Sequence, residues 1–212
     1  MHIRSSMAGL GSMLLVCFVF AAVPFVWAAP STGPTAVIKT GTDRMLQILD
    51  ESRKEGSPTL KQRREEIFSI LDKYFNFVEM ARRSLGRPWK DQTPEKREEF
   101  VRLFKQLLFN TYVDRVEGYT GSQEKILYSG EKIQGDYAMV QTKIAGYKAS
   151  DVAVDYRMRI DGADWKVYDV IVEGVSFIDN YREQFNAILA NESFDGLLNK
   201  LREKAIALQP KS

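Results

Sequence analysis

From Gly121 onward the spacing of apolar residues changes from threes and fours to strict alternation, and beyond Ser176 it changes back. A chain with that order of periods must form helices, then strands, then helices, which confines it to an α+β architecture. Val152, Val154, Tyr156, Met158 and Ile160 alternate with Ala153, Asp155, Arg157 and Arg159, so this strand has one buried face and one wet face. Ala138, Val140, Thr142 and Ile144 mark the strand before it, and Ile126 and Tyr128 the first. Residues 165–173 form a fourth strand after the turn Asp161-Gly162-Ala163-Asp164. Connections this short make neighbours antiparallel, so the four strands are a meander.

Ahead of the sheet, the spacing predicts helices over about 35–53, from Leu60 to Phe75, over 78–85 and over 94–117. Ser57 is a candidate cap for the second, with Pro58 at its first position, and Thr93-Pro94-Glu95 opens the fourth in the same way. That fourth helix carries a wide aromatic stripe of Phe100, Leu103, Phe104, Leu107, Leu108 and Tyr112. After the sheet, Ser176 and Ser193 are candidate caps for two closing helices, the first with Phe177, Ile178, Tyr181 and Phe185 inward and the second with Phe194, Leu197, Leu198 and Leu201. Asn191-Glu192-Ser193 also matches a glycosylation sequon. The expected domain is 35–212, one unit with helices packed mainly on one face of a curved four-stranded sheet.

The N-terminal stretch is of a different kind. No charged side chain lies between Arg4 and Lys39, and 20 of the first 28 residues are apolar. With a short positive start and small residues before Ala29, residues 1–28 are read as a secretory signal peptide and 29–34 as a flexible lead-in. The alternative is an uncleaved anchor, since about 20 apolar residues can just span a bilayer.

Cleavage after Ala28 removes His2 and Cys17, the one histidine and the one cysteine. Cys- or His-based zinc sites, Cys nucleophiles and histidine acid–base catalysis then have no residue to use. A net charge of +2, or +1 once Arg4 is lost, is far from the dense basic face that nucleic-acid binding needs. Asp155, Asp161, Asp164, Asp169 and Glu173 leave a carboxylate-based hydrolase as the catalytic alternative. Asp169 shares one strand face with Trp165, Val167 and Ile171, where an acid needs a partner or water. Lys61, Arg63 and Arg64, like Arg82 and Arg83, read as solvated helix faces or as docking charges. Nine Phe, nine Tyr and two Trp remain beyond residue 28, more bulky apolar surface than a sheet under helices requires. Such a sheet can close on a solid core or leave an apolar cavity, and periodicity does not distinguish the two.

Several runs resemble one family. They are Ala81-Arg82-Arg83-Ser84-Leu85-Gly86 with Trp89, then Thr93-Pro94-Glu95 leading to Phe100, and the run from Trp165-Lys166-Val167-Tyr168-Asp169-Val170 through Glu173-Gly174-Val175-Ser176 to Asn180-Tyr181-Arg182 and Gln184-Phe185. In this order, from about residue 36 to 208, the chain is similar to the MlaC, or toluene-tolerance auxiliary, family of periplasmic phospholipid-binding proteins. The resemblance implies an NTF2-like fold with an added helical portion, an apolar cavity for acyl chains, no cofactor, no enzymatic activity and a bound phospholipid. It implies a carrier in the Gram-negative periplasm, working between an outer-membrane lipoprotein–porin complex and an inner-membrane MCE-domain/ABC transporter to maintain outer-membrane lipid asymmetry. Hopanoid-associated relatives leave a hopanoid as the alternative cargo. Nothing in the sequence demands more than a monomer.

The expected lipid-contacting residues are Leu85, Trp89, Phe104, Leu107, Leu108 and Tyr112 from the helices. Val140, Val154, Tyr156, Met158, Tyr168, Val170 and Val172 are expected from the sheet, and Ile178 and Phe185 from the helix that follows. For each, the competing reading is ordinary core. Asp169, Glu173 and Arg182 are expected to form a polar support network or lip rather than a catalytic set.

Overall fold

Hydroxyl and amide caps set where the helices of this chain begin. The computed structural model describes residues 32–51, 54, 58–118, 125–147 and 150–207, so the expected signal peptide, half of the lead-in and Ser57 lie outside it. Its elements are α1 (Pro34–Glu51), α2 (Leu60–Tyr74), α3 (Phe77–Leu85), a 3-10 turn (Arg87–Asp91) and α4 (Pro94–Glu117). Then come β1 (Lys125–Gln134), β2 (Tyr137–Tyr147), β3 (Ser150–Asp161), β4 (Asp164–Val172), β5 (Val175–Ser176), α5 (Phe177–Leu189) and α6 (Phe194–Ala207).

The Thr93, Ser176 and Ser193 side chains each accept a backbone N–H three residues on, at 3.3, 3.1 and 3.1 Å. The serine of the sequon therefore caps α6. At α2 the cap is Thr59. Its hydroxyl accepts from the Gln62 amide while the Gln62 side chain accepts from the Thr59 amide, a reciprocal capping box that starts the helix at Leu60 rather than Pro58.

The sheet is an open antiparallel meander in the order β1-β2-β3-β4-β5. It has five strands where four are expected. β5 is two residues long, too short to show any alternation, and pairs with Ile171 and Val172. Glu173 and Gly174 make the turn before it with φ of 50° and 80°, the left-handed pair that a tight hairpin needs. Glu173 is held there because its amide donates to the Ala153 carbonyl and its carboxylate accepts from the Ala153 amide.

One bulge decides which side chains face inward. Register jumps between Arg157 and Met158, which pair with Asp169 and Val167, so Tyr168 is the extra residue of β4. Trp165 and Val167 consequently share a face with Val170 and Val172, opposite Ile160, Met158, Tyr156 and Val154. Asp169 is thrown to the other face beside Arg157, not alongside Trp165 and Val167 as simple alternation predicts.

There Asp169 is 1% exposed and fully occupied. It accepts from the Ser176 hydroxyl at 2.7 Å, the Ile178 amide at 3.1 Å and Arg157 at 3.0 Å, tying β4 to the start of α5. Asp169→Ala leaves the Ile178 amide and Ser176 hydroxyl without their acceptor, and Arg157, itself a third exposed, falls back on water. The expected loss is about 3 kcal/mol of unfolding free energy. A denaturant midpoint equal to the parent's would show that Asp169 supports nothing.

Among the described residues, three apolar clusters form the core. The largest joins α3, α4, α5 and α6 through residues such as Leu85, Phe100, Phe104, Leu107, Phe185 and Leu197. A second lies on the inner face of the sheet around Val140, Met158 and Val167, with Ile38 of α1 against it. The smallest has four buried residues, Ile48, Leu49, Ile67 and Val113, and joins α1 and α2 to α4. α4 thus buries apolar residues in two separate clusters. Arg63 and Arg64 reach from α2 to Glu117 near the end of α4 at 3.0 and 2.7 Å, so they are an interhelix clasp and not a solvated face.

Candidate functional site: an apolar cavity

The inner face of the sheet meets α1 at Ile38 but stands apart from much of α1, α2 and α4. Between them is a cavity of about 590 Å³. Its walls are Val37, Met45 and Leu46 of α1, Ile67, Phe68 and Leu71 of α2, and Leu108, Phe109 and Tyr112 of α4. The sheet contributes Ile126, Ile144, Val152, Val154, Tyr156, Val167, Val170 and Val172, and Phe177 begins the α5 side. Val175 and Arg115, both exposed, with Asn180 from α5, place an opening where the end of α4 meets the β4–β5 turn.

Among the described residues the lining holds no Asp or Glu, and Lys105 and Arg115 are its charged side chains. They sit ten positions apart on α4, about 15 Å at the helical rise of 1.5 Å per residue. Lys105 is 15% exposed and forms an ion pair with Asp72, its ammonium 3.9 Å from the centre of the Phe68 ring and 5.3 Å from that of Phe77. Arg115 lies 5.4 Å from the centre of the Tyr112 ring at the open end.

Tyr112 and Tyr156 hold their phenolic protons more firmly than free tyrosine. Burial pushes the Tyr156 phenol up to about 12, and a hydrogen bond with Thr142 offsets only part of that. Its side chain still has surface free of protein contact because it faces the cavity. Burial likewise raises Tyr112, against the pull of its hydrogen bond to Tyr181. A space lined this way offers dispersion contacts and few directional demands, and suits a flexible hydrocarbon.

Of the residues expected to line such a space, Leu108, Tyr112, Val154, Tyr156, Val170 and Val172 do so. Nine others lie elsewhere. Leu85, Phe104, Leu107, Ile178 and Phe185 are interior members of the α3–α6 cluster, and Trp89 and Tyr168 pack on its margin. Val140 and Met158 are fully buried in the sheet cluster. The cause is the two-sided burial of α4. Phe100, Phe104 and Phe185 pack ring against ring at 5.4–5.9 Å, so the aromatic stripe closes a solid core while the cavity takes the adjacent strip containing Leu108 and Tyr112.

The walls from α1 and α2 were not anticipated, because their apolar spacing reads as an ordinary packed helix face. One signal was available: Gly41, in the interior of α1, where glycine costs about 1 kcal/mol relative to alanine. A Cβ there would meet the Tyr74 ring at 3.2 Å, so the glycine lets α1 and α2 approach beside the cavity.

The acids give no catalytic pair in this space. Asp161 and Asp164 flank the β3–β4 turn, Asp155 pairs with Ile171 on the outer face, and Asp169 and Glu173 are bonded as described above.

The sequence profile of the family described as MlaC protein matches residues 39–203. The chain belongs to the MlaC family. All of the cavity lining except Val37 and Ile38 lies within the MlaC match. The chain is 24% identical over 183 residues to the intermembrane phospholipid transport system binding protein MlaC of Haemophilus influenzae, covering 84% of this chain and 85% of that one. It is 30% identical over 93 residues to the toluene tolerance protein ttg2D of Pseudomonas putida, 44% of this chain and 43% of that protein. In fold it is similar to a phospholipid-binding protein from Ralstonia solanacearum solved in complex with a phospholipid. That likeness has a TM-score of 0.72 at 24% identity and covers 84% of this chain and all of the other.

Proposed function

We propose that this protein is a periplasmic phospholipid carrier, with the fatty chain inside the cavity and the headgroup at the opening near Arg115. The observation that carries this reading is the apolar cavity of about 590 Å³ between the sheet and α1, α2 and α4. At roughly 30 Å³ per methylene-sized group it has room for on the order of 20 of them, a whole fatty chain and part of a second. Keeping that many methylenes out of water is favourable by on the order of 15 kcal/mol. A lipid in transit therefore needs an enclosure of this kind.

Family membership and the relatives' roles in phospholipid transport and toluene tolerance support the same reading. So does the supply of cavity-facing Leu108, Tyr112, Val154, Tyr156, Val170 and Val172, which we assign to contact with the acyl chain. In this proposal the chain is exported, residues 1–28 are removed, and lipid passes between an outer-membrane lipoprotein–porin complex and an inner-membrane MCE-domain/ABC transporter. Binding and release without bond-breaking need no catalytic carboxylate.

The test is direct. The chain beginning at Ala29 is expressed, purified without detergent, extracted with organic solvent and the extract analysed by mass spectrometry. Phospholipid near one molecule per chain is the expected result. Hopanoid in its place would change the cargo, and an extract free of acyl lipid would end the carrier proposal.

A further inference from the structure

Away from the cavity, five arginines gather where α3, α5 and the outer face of β3 and β4 meet. Arg82, Arg83 and Arg159 all converge on Glu79, at 2.7, 2.7 and 3.4 Å. Arg157 pairs with Asp169 at 3.0 Å, and Arg182 bonds Asp179 and the Arg83 carbonyl. The vertical order of these charges matters. The Glu79 and Asp169 side chains are 6% and 1% exposed, whereas those of Arg82, Arg157 and Arg182 are 49%, 37% and 40% exposed. The acids that hold the cluster together lie beneath it and the guanidinium groups form its surface, with Asp179 the exposed acid among them.

The cluster is also stiff. The Arg83 guanidinium stacks 4.2 Å from the centre of the Tyr168 ring and 5.7 Å from that of Tyr137, itself a 43% exposed residue. Arg159 lies 5.9 Å from Tyr137 on the same side, and its Nε is buried without a hydrogen-bond partner. Guanidinium forks already fixed by carboxylates and rings lose little freedom when they meet a second carboxylate. None of these cations is a lysine, the mobile point charge suited to a fluid headgroup layer. Arginine and tyrosine are the residue types concentrated at the centres of protein interfaces.

We infer that this arginine–tyrosine face docks an acidic protein surface, whose Asp and Glu side chains take the outward-facing guanidinium donors. No residue of the face lines the cavity. The inference stands whether or not the cargo assigned above is correct.

The experiment places the photoreactive residue p-benzoylphenylalanine at Met139, which pairs with Arg157 on that face, in the full chain in living cells. Irradiation should crosslink one protein through a segment rich in Asp and Glu. That protein, purified, should bind the parent chain with an affinity that falls as salt is raised. It should bind the Arg82→Gln/Arg157→Gln variant at least tenfold more weakly, mainly through slower association. Changing one acid of the crosslinked segment to Gln should cost less against the variant than against the parent.

A crosslink to lipid, a segment without net negative charge, or equal affinity for parent and variant would overturn the inference. So would binding of the parent, lost in the variant, to phosphatidylglycerol vesicles, since that would make the face a membrane contact. If the variant does not fold, the salt dependence of the parent decides: an affinity insensitive to salt overturns it. Co-extracted lipid is measured on the same variant and should be unchanged, which separates this result from any failure of the carrier proposal.

Discussion

Leu108→Trp combined with Val154→Trp is expected to lower co-extracted lipid per chain by at least tenfold while leaving the circular dichroism spectrum intact. The two side chains face the same cavity from opposite walls, one on α4 and one on β3. Indole rings projected from both sides take the volume that the fatty chain needs. In a packed core such enlargement costs about 1–3 kcal/mol through strain, but here there is empty space to receive it. The sign for stability is therefore the reverse of the core case: the free protein should lose less than a core substitution or even gain, because apolar walls acquire contacts they lack. The measurement is lipid phosphorus per mole of folded protein, with the urea midpoint beside it. Parental lipid content in a folded double variant would remove Leu108 and Val154 from the binding surface.

The second large effect is alkaline. Burial pushes both Tyr156 and Tyr181 up to about 12 from 10, so the folded chain keeps two protons that the unfolded chain releases. For acids whose folded pKa is raised, the contribution to stability is complete below the unfolded value and disappears as pH climbs to the folded one. At about 1.4 kcal/mol per unit for each residue, the pair should remove on the order of 5 kcal/mol of unfolding free energy between pH 10 and pH 12. Alkali acts on the rest of the chain as well, so the comparison is with Tyr156→Phe/Tyr181→Phe, which keeps both rings and removes both protons. The double variant should show a clearly shallower alkaline loss. Equal slopes for parent and variant would mean that these phenols are not sealed from water in the folded state.

Much of the architecture could be read from the chain because its local signals agree with one another. Thr93-Pro94, Ser176 and Ser193 are caps in sequence and in structure, and the alternation along β3 places every second residue as expected. What escaped has particular physical causes. The bulge at Tyr168 reverses the facing of half of β4, and no residue there advertises it. β5 is fixed by its turn and by Asp169 below it rather than by any pattern of its own. The cavity is the deeper case. An apolar side chain gives the same periodic signal whether its neighbour is another side chain or empty space, so Phe104 and Leu108 look alike along the sequence. They differ only in what lies opposite each on α4, and that is decided by elements distant in the chain.

α4 serves both as a wall of the cavity and as part of the α3–α6 cluster, with Phe100, Phe104 and Leu107 locked inside that cluster and Leu108 and Tyr112 at its edge, facing the cavity. That dual duty makes the enclosure mechanically lopsided. Its α4 wall cannot recede without unpacking the most extensive core of the molecule, whereas α1 and α2 are secured by a four-residue cluster, Ile38 against the sheet, the Asp72–Lys105 ion pair and the Arg63–Arg64 clasp on Glu117. A guest bulkier than the resting space will therefore find room by lifting the first two helices, and slow amide exchange should persist in α4 while it is lost from them.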